Sequence, residues 1–236
     1  MTHRLSRETA RETQTEVDRS PQRPILTVTG LGRCVQNYWV WRDLSFEVWG
    51  GDRLAVVGPS GSGKSLLLRA LAGLDAVQEG QIVFDEKPLV DWFMPSYRCQ
   101  IIYLHQRPAL IEGTVEENLQ QVYKLASHRD QGFDRQRILE YLHLIGRTGD
   151  FLDRPIAALS GGEAQIAAFL RALQLSPGML LLDEPTASLD PETAYRLEDL
   201  VQAWQAEDPQ RAYLWTSHNP TQLERITDRH LSLGPA

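Results

Sequence analysis

Apolar residues in this chain fall into short runs separated by helix-forming stretches. Leu54-Ala55-Val56-Val57 and Met179-Leu180-Leu181-Leu182 are continuously apolar, the pattern of strands buried on both faces. Ile25-Leu26-Thr27-Val28 and Leu44-Ser45-Phe46-Glu47-Val48 alternate instead, and residues 80–84, 100–104, 213–216 and 230–233 read as further strands. Between them lie helical stretches. Residues 66–72 are rich in helix formers. Residues 134–145 place Ile138, Leu139, Leu142 and Ile145 on one face. A helix starting at Pro191 carries Tyr195, Leu197, Leu200, Val201 and Trp204 as its apolar face. Thr114 with Glu117, and Ser160 with Glu163, have the spacing of capping boxes, the second opening a helix to about residue 175. From about Pro108 to Ala158 there are helices and no strands, which marks an inserted helical subdomain over about 108–175. The alternation of strands and helices implies an α/β fold with a mostly parallel sheet.

Composition narrows the class without changing this picture. The 236 residues suffice for one large domain, and 42% hydrophobic with 23% charged residues is ordinary for a globular protein. Residues 1–23 mix five arginines with four acidic residues and almost nothing apolar, which predicts a disordered tail ahead of a domain over 24–236. A net charge of −7 argues against a nucleic-acid partner. No apolar run approaches the roughly 20 residues of a membrane span, and the N-terminus lacks a signal-peptide core. Cys34 and Cys99 lack metal-site spacing and read as free thiols of a cytoplasmic protein.

The chemistry is announced by Gly58-Pro59-Ser60-Gly61-Ser62-Gly63-Lys64-Ser65, set between a strand and a helix. Its glycines let successive N–H groups face a phosphate at a positive helix end. Lys64 would reach the outer phosphates and Ser65 would ligate Mg²⁺. In such a sheet, ligands collect at the C-terminal strand edges. Those edges also carry Gln106, Asp183-Glu184 and His218. Asp183 suits a hard cation, Glu184 is placed to polarise a water, and His218 and Gln106 are placed to touch phosphate, metal or water. Taken singly, Asp183-Glu184 reads equally as a solvated strand end, and a lone histidine is more often structural. His105, His128 and His143 are assigned structural or surface roles. Convergence at one edge favours phosphoryl transfer. Trp41 is expected to pack, whereas Tyr38 and Trp39 are open to packing or to stacking on a base.

The ordered set of the 58–65 loop, Gln106, Leu159-Ser160-Gly161-Gly162-Glu163-Ala164-Gln165, Leu180 to Glu184, Ser188-Leu189-Asp190 and His218 resembles the ATP-binding subunit of ABC transporters. The resemblance runs from about Ile25 to the C-terminus, and the L-S-G-G-[EQ] stretch separates this family from other P-loop ATPases. It implies a P-loop ATPase fold of ABC type with an antiparallel N-terminal β part. It implies ATP and Mg²⁺ as ligands, with Ser65, Gln106 and Asp183 around the metal. Gln106 becomes the Q-loop glutamine, Glu184 the catalytic glutamate and His218 the switch histidine. Ser160, Gly161, Gly162 and Glu163 would serve nucleotide on a second ATPase subunit, and Asp190 would sit in the loop communicating across that dimer. A separate membrane permease would be the further partner, with the chain peripheral on the cytoplasmic face of the cell membrane. Three departures stand out. Leu66 replaces the usual Thr after the loop serine, and Val35 holds the usual adenine-stacking position, so Arg33, Tyr38 or Trp39 would substitute. Asn219 replaces an Asp after His218. The 106–119 stretch resembles exporters, and the size and short insert resemble small ATPases of the iron-export and aluminium-tolerance type. The alternatives are a non-transport ABC ATPase with soluble partners in cofactor assembly or repair, and a small-molecule kinase, which leaves the signature stretch unexplained.

Overall fold

The computed structural model describes residues 23–234 and the backbone of Glu12–Thr13; the rest of the predicted tail lies outside the described residues. The strands β1 (Glu12–Thr13), β2 (Leu26–Val35), β3 (Tyr38–Val48) and β4 (Arg53–Val57) come first. Helix α1 (Lys64–Leu71), β5 (Glu79–Phe84), β6 (Lys87–Pro88), α2 (Met94–Gln100) and β7 (Ile101–Leu104) follow. Next come α3 (Val115–Gln120), α4 (Arg135–Leu144), α5 (Gly161–Leu173) and β8 (Met179–Asp183). The chain ends with α6 (Pro191–Ala206), β9 (Ala212–Thr216), α7 (Pro220–Ile226) and β10 (Arg229–Ser232).

Two sheets result. One has the order β1-β10-β4-β9-β8-β7 and is parallel except for β1; the other, β3-β2-β5-β6, is antiparallel. The alternating side chains of the parallel strands sort the core into two halves. Leu54, Val56, Met179, Leu181 and Leu214 face α1, α2 and the antiparallel sheet. Ala55, Leu180, Leu182, Tyr213 and Trp215 face α5, α6, α7 and the helical insert. β8 is buried along its whole length, as its unbroken apolar run requires.

Two sequence expectations, at residue 100 and at Tyr195, change. β2 and β3 run through Cys34 to Trp41 as one hairpin, turned at Gln36 and Asn37 with φ of 49° and 66°. Two successive positive φ values make the turn whose twist suits a hairpin, and Asn tolerates that conformation. Residue 100 ends α2 rather than opening β7. Tyr195 is not part of the buried face of α6: it is half exposed, and its ring lies 4.3 Å below the Arg225 guanidinium. Between Pro108 and Ala158 the described structure holds α3, α4, single helical turns and one isolated bridge, Thr114 to Pro155. Asn118, buried at the base of this segment, donates to the carbonyls of Ile111 and Thr114 and accepts from the Ile111 N–H.

Leu180→Ala removes a fully buried side chain from β8, an interior strand of the parallel sheet. The expected loss is about 2–5 kcal/mol, read as a lowered urea midpoint with an unchanged slope.

Candidate functional site

The site is assembled at the C-terminal edges of β4, β7, β8 and β9. After β4 the chain turns through Gly58 to Gly63, and Gly61 and Gly63 have φ of 82° and 86°. A Cβ on Gly63 would meet Val40 and the Trp41 indole at 2.4 and 2.8 Å, so only glycine fits beneath β3 there. Trp41 is buried, as expected from its sequence context. Pro59 and Ser60 are exposed on the outer curve. The Ser62 hydroxyl is buried beside Gly58 without a partner, an oxygen that a phosphate group would satisfy. Lys64 curls back to donate to the carbonyls of Gly58 (2.9 Å) and Pro59 (3.1 Å). Leu66 is half-buried as the third residue of α1 and has no hydroxyl to offer.

Asp183 ends β8 only 4% exposed. Its Oδ1 accepts from the hydroxyls of Ser65 (3.0 Å) and Thr216 (3.1 Å), and its Oδ2 from Tyr103 (2.9 Å). Burial, and then the Asp183 charge, push the Tyr103 phenol well above its usual range, so it stays a donor. Glu184 follows at φ 47°, a left-handed conformation that costs a non-glycine residue free energy. Its N–H donates to Thr216 Oγ1 at 2.9 Å, which helps to hold that turn. Its carboxylate is 2.8 Å from His218 Nε2 through Oε1 and accepts from Gln106 Nε2 at 3.0 Å through Oε2.

Thus Ser65, Gln106, Asp183, Glu184 and His218 converge around two carboxylates. Ser65, Asp183 and Gln106 together offer hydroxyl, carboxylate and amide oxygens, the donor types a hard cation takes. Sequence reading missed Tyr103 and Thr216. Thr216 lies opposite Asp183 in the β8–β9 register, so polar residues near the ends of neighbouring strands were the available signal.

The Ser160 start is separate. Ser160 Oγ accepts from the Glu163 N–H and the Glu163 carboxylate accepts from the Ser160 N–H, closing the expected box. The Glu163 carboxylate also pairs with Arg154, which first, followed by the Ser160 N–H, holds it down to about 2. Gly161 and Gly162 pack toward Ser188, where a Cβ on Gly162 would come 3.0 Å from the Ser188 carbonyl. Asp190 caps α6 through the Thr193 N–H (3.0 Å) and hydroxyl (2.6 Å), which lower its pKa. Among the described residues no hydrogen bond links the Ser160 start to the glycine loop.

A glycine cradle ahead of a helix, with carboxylates at the neighbouring strand edge, defines a nucleoside triphosphatase of the P-loop class. A model of the ABC transporter family matches residues 41–187. YjkB of Bacillus subtilis, named as an ABC transporter ATP-binding protein, is 33% identical over 193 residues, 82% of this chain and 75% of that protein. FetA of Escherichia coli, named a probable iron export ATP-binding protein, is 29% identical over 212 residues, 90% of this chain and 92% of FetA. The solved structure of an ATP-binding subunit of an ABC transporter superposes with a TM-score of 0.79 at 26% identity, over 89% of this chain and 85% of that one. The chain belongs to the ABC transporter family, as an ATP-binding ATPase. Among the described residues no helix is long and apolar enough to cross a membrane.

The depressed Glu163 pKa sets a pH dependence. A carboxylate that ionises more readily when folded stabilises fully above its ordinary value and loses that contribution as pH falls toward the folded one. Glu163→Gln keeps the capping geometry but removes the charge facing Arg154. Its melting temperature should lie below wild type at neutral pH, and the gap should close as pH falls from about 5 toward about 2.

Proposed function

We propose that two copies of this chain close on two ATP molecules and drive a separate membrane permease, with metal-ion export as the transport class. The observation that carries the reading is that the chain holds two glycine-lined helix starts, those of α1 and α5, with no hydrogen bond between them among the described residues. The 58–65 loop precedes α1, and the capped Ser160 start precedes α5, its bonds to Glu163 being internal. Each start would meet the nucleotide held by the other copy. The similarity to FetA over nearly the whole chain supports export. So does the 106–119 stretch, with its exporter-like sequence.

In this reading Lys64 and the loop N–H groups hold the β- and γ-phosphates. Ser65, Asp183 and Gln106 would hold Mg²⁺, which when bound offsets phosphate charge. Gln106 and His218, each touching one oxygen of Glu184, orient that carboxylate toward a water in line with the γ-phosphorus. As the water oxygen bonds phosphorus and the bond to the β-phosphate oxygen breaks, Glu184 takes the water proton.

Adenine would rest on Tyr38. Trp39 is committed to packing over Gly32 and under Arg42, which pairs with Glu79. The Arg33 guanidinium donates to the Ala76 carbonyl. Tyr38 is 79% exposed, lies directly across the hairpin from Val35, and shares a strand face with Val40, which covers Gly63.

Glu184→Gln tests the assignment of the base. Hydrolysis should fall at least about 10²-fold while an ATP-dependent dimer accumulates on size exclusion; hydrolysis at the wild-type rate would refute it. Tyr38→Ala should weaken ATP binding about tenfold, the loss of one aromatic stack, with little change in turnover at saturating ATP.

A further inference from the structure

A cleft of about 470 Å³ runs between α6 and α7, bordered at one end by Glu184 and His218. Its floor carries a polar group that the reaction described above does not use. Gln222, in the first turn of α7, is 5% exposed. Its Oε1 accepts from Ser217 Oγ at 2.7 Å. Its Nε2 donates to Thr186 Oγ1 at 2.9 Å and to Glu198 Oε1 at 2.6 Å. Ser217 immediately precedes His218, and Thr186 is two residues beyond Glu184. One buried amide therefore bonds both segments that present the hydrolytic pair.

Glu198 fixes which way this amide faces. The carboxylate, on α6, is 2% exposed and accepts three contacts from Arg225, at 2.8, 2.9 and 2.6 Å. A carboxylate only accepts, so the NH₂ group of Gln222 must face it and the carbonyl oxygen must face Ser217. Ser217 then spends its proton on that oxygen, and its own oxygen accepts the Asn219 N–H at 3.0 Å. This sets the backbone on both sides of His218. On the other side the same amide pins Thr186, behind the strained Glu184 turn. A half-satisfied buried amide is costly, so the two segments are held together or released together.

We propose that Gln222 is a positioning residue for ATP hydrolysis: through Ser217 and Thr186 it sets the His218–Glu184 contact, with the Glu198–Arg225 pair fixing its orientation. The inference rests on the reading of Glu184 as base and His218 as its partner. It concerns turnover rather than binding, because Gln222 touches neither the glycine loop nor Asp183.

The test is steady-state ATPase kinetics on the full chain with Gln222→Met, which keeps length and helix propensity but removes the hydrogen bonds, and with Ser217→Ala, which removes one hydroxyl from a partly exposed loop. Each should lower kcat about tenfold with KM within about twofold, and each effect should vanish in a His218→Ala background, as expected for residues acting through one contact. A residue that only supported the fold would slow the His218→Ala enzyme by the same factor, and that additive result would overturn the proposal. So would a wild-type kcat in either variant while Glu184→Gln is inactive. Should Gln222→Met fail to fold, Ser217→Ala decides alone by the same criteria. Wild-type turnover in Glu184→Gln would instead overturn the assignment of the base, and the coupling with it.

Discussion

The site depends on the burial of one negative charge. Asp183 lies at the end of a strand with no exposed residue, and a carboxylate there is tolerated only if its oxygens are occupied. Three hydroxyls, from Ser65, Thr216 and Tyr103, occupy them. They come from α1, β9 and β7, so satisfying this charge draws the glycine loop and two flanking strands to one point. The hydroxyl of Ser65 is also the group that would meet a cation, and a cation could replace that hydrogen bond without leaving Asp183 unpaired. The structure thus presents an oxygen-rich edge that is stable as it stands and suited to positive charge.

Strain accompanies this arrangement. The chain leaves β8 through Glu184 at a positive φ, and that conformation survives because its surroundings determine it. Thr216 holds the Glu184 N–H, Gln106 and His218 hold its two carboxylate oxygens, and Thr186 is tied below to Gln222. The groups that orient the carboxylate arrive on three separate connections, after β7, β8 and β9. Movement in any one would be felt at Glu184.

The second helix start is built differently. Ser160 and Glu163 satisfy one another's backbone locally, with Arg154 neutralising the acid. That start is complete as it stands. A helix end with its capping side chains already in place needs little ordering before it can bind an anion.

Local signals in the sequence carried far in this protein. Both capping boxes, the buried run of β8, the strand–glycine–helix context of the 58–65 loop and the polar strand ends depend on residues within a few positions of each other, where spacing alone dictates hydrogen bonding or burial. The hairpin turn at Gln36–Asn37 escaped because it lacks the glycine that usually marks such turns. Tyr195 misled because helical period places it on the apolar face, yet a guanidinium covers its ring. Tyr103, Thr216 and Gln222 were invisible for another reason. Each is an ordinary residue in its own segment, and gains a role only when strand order and helix packing bring it to Asp183 or His218. Sequence by itself determined most of the strands and helices and the chemistry they carry. Tertiary structure alone decided which polar groups share a buried charge, because that sharing links residues as far apart as 65 and 183, whose meeting no local spacing encodes.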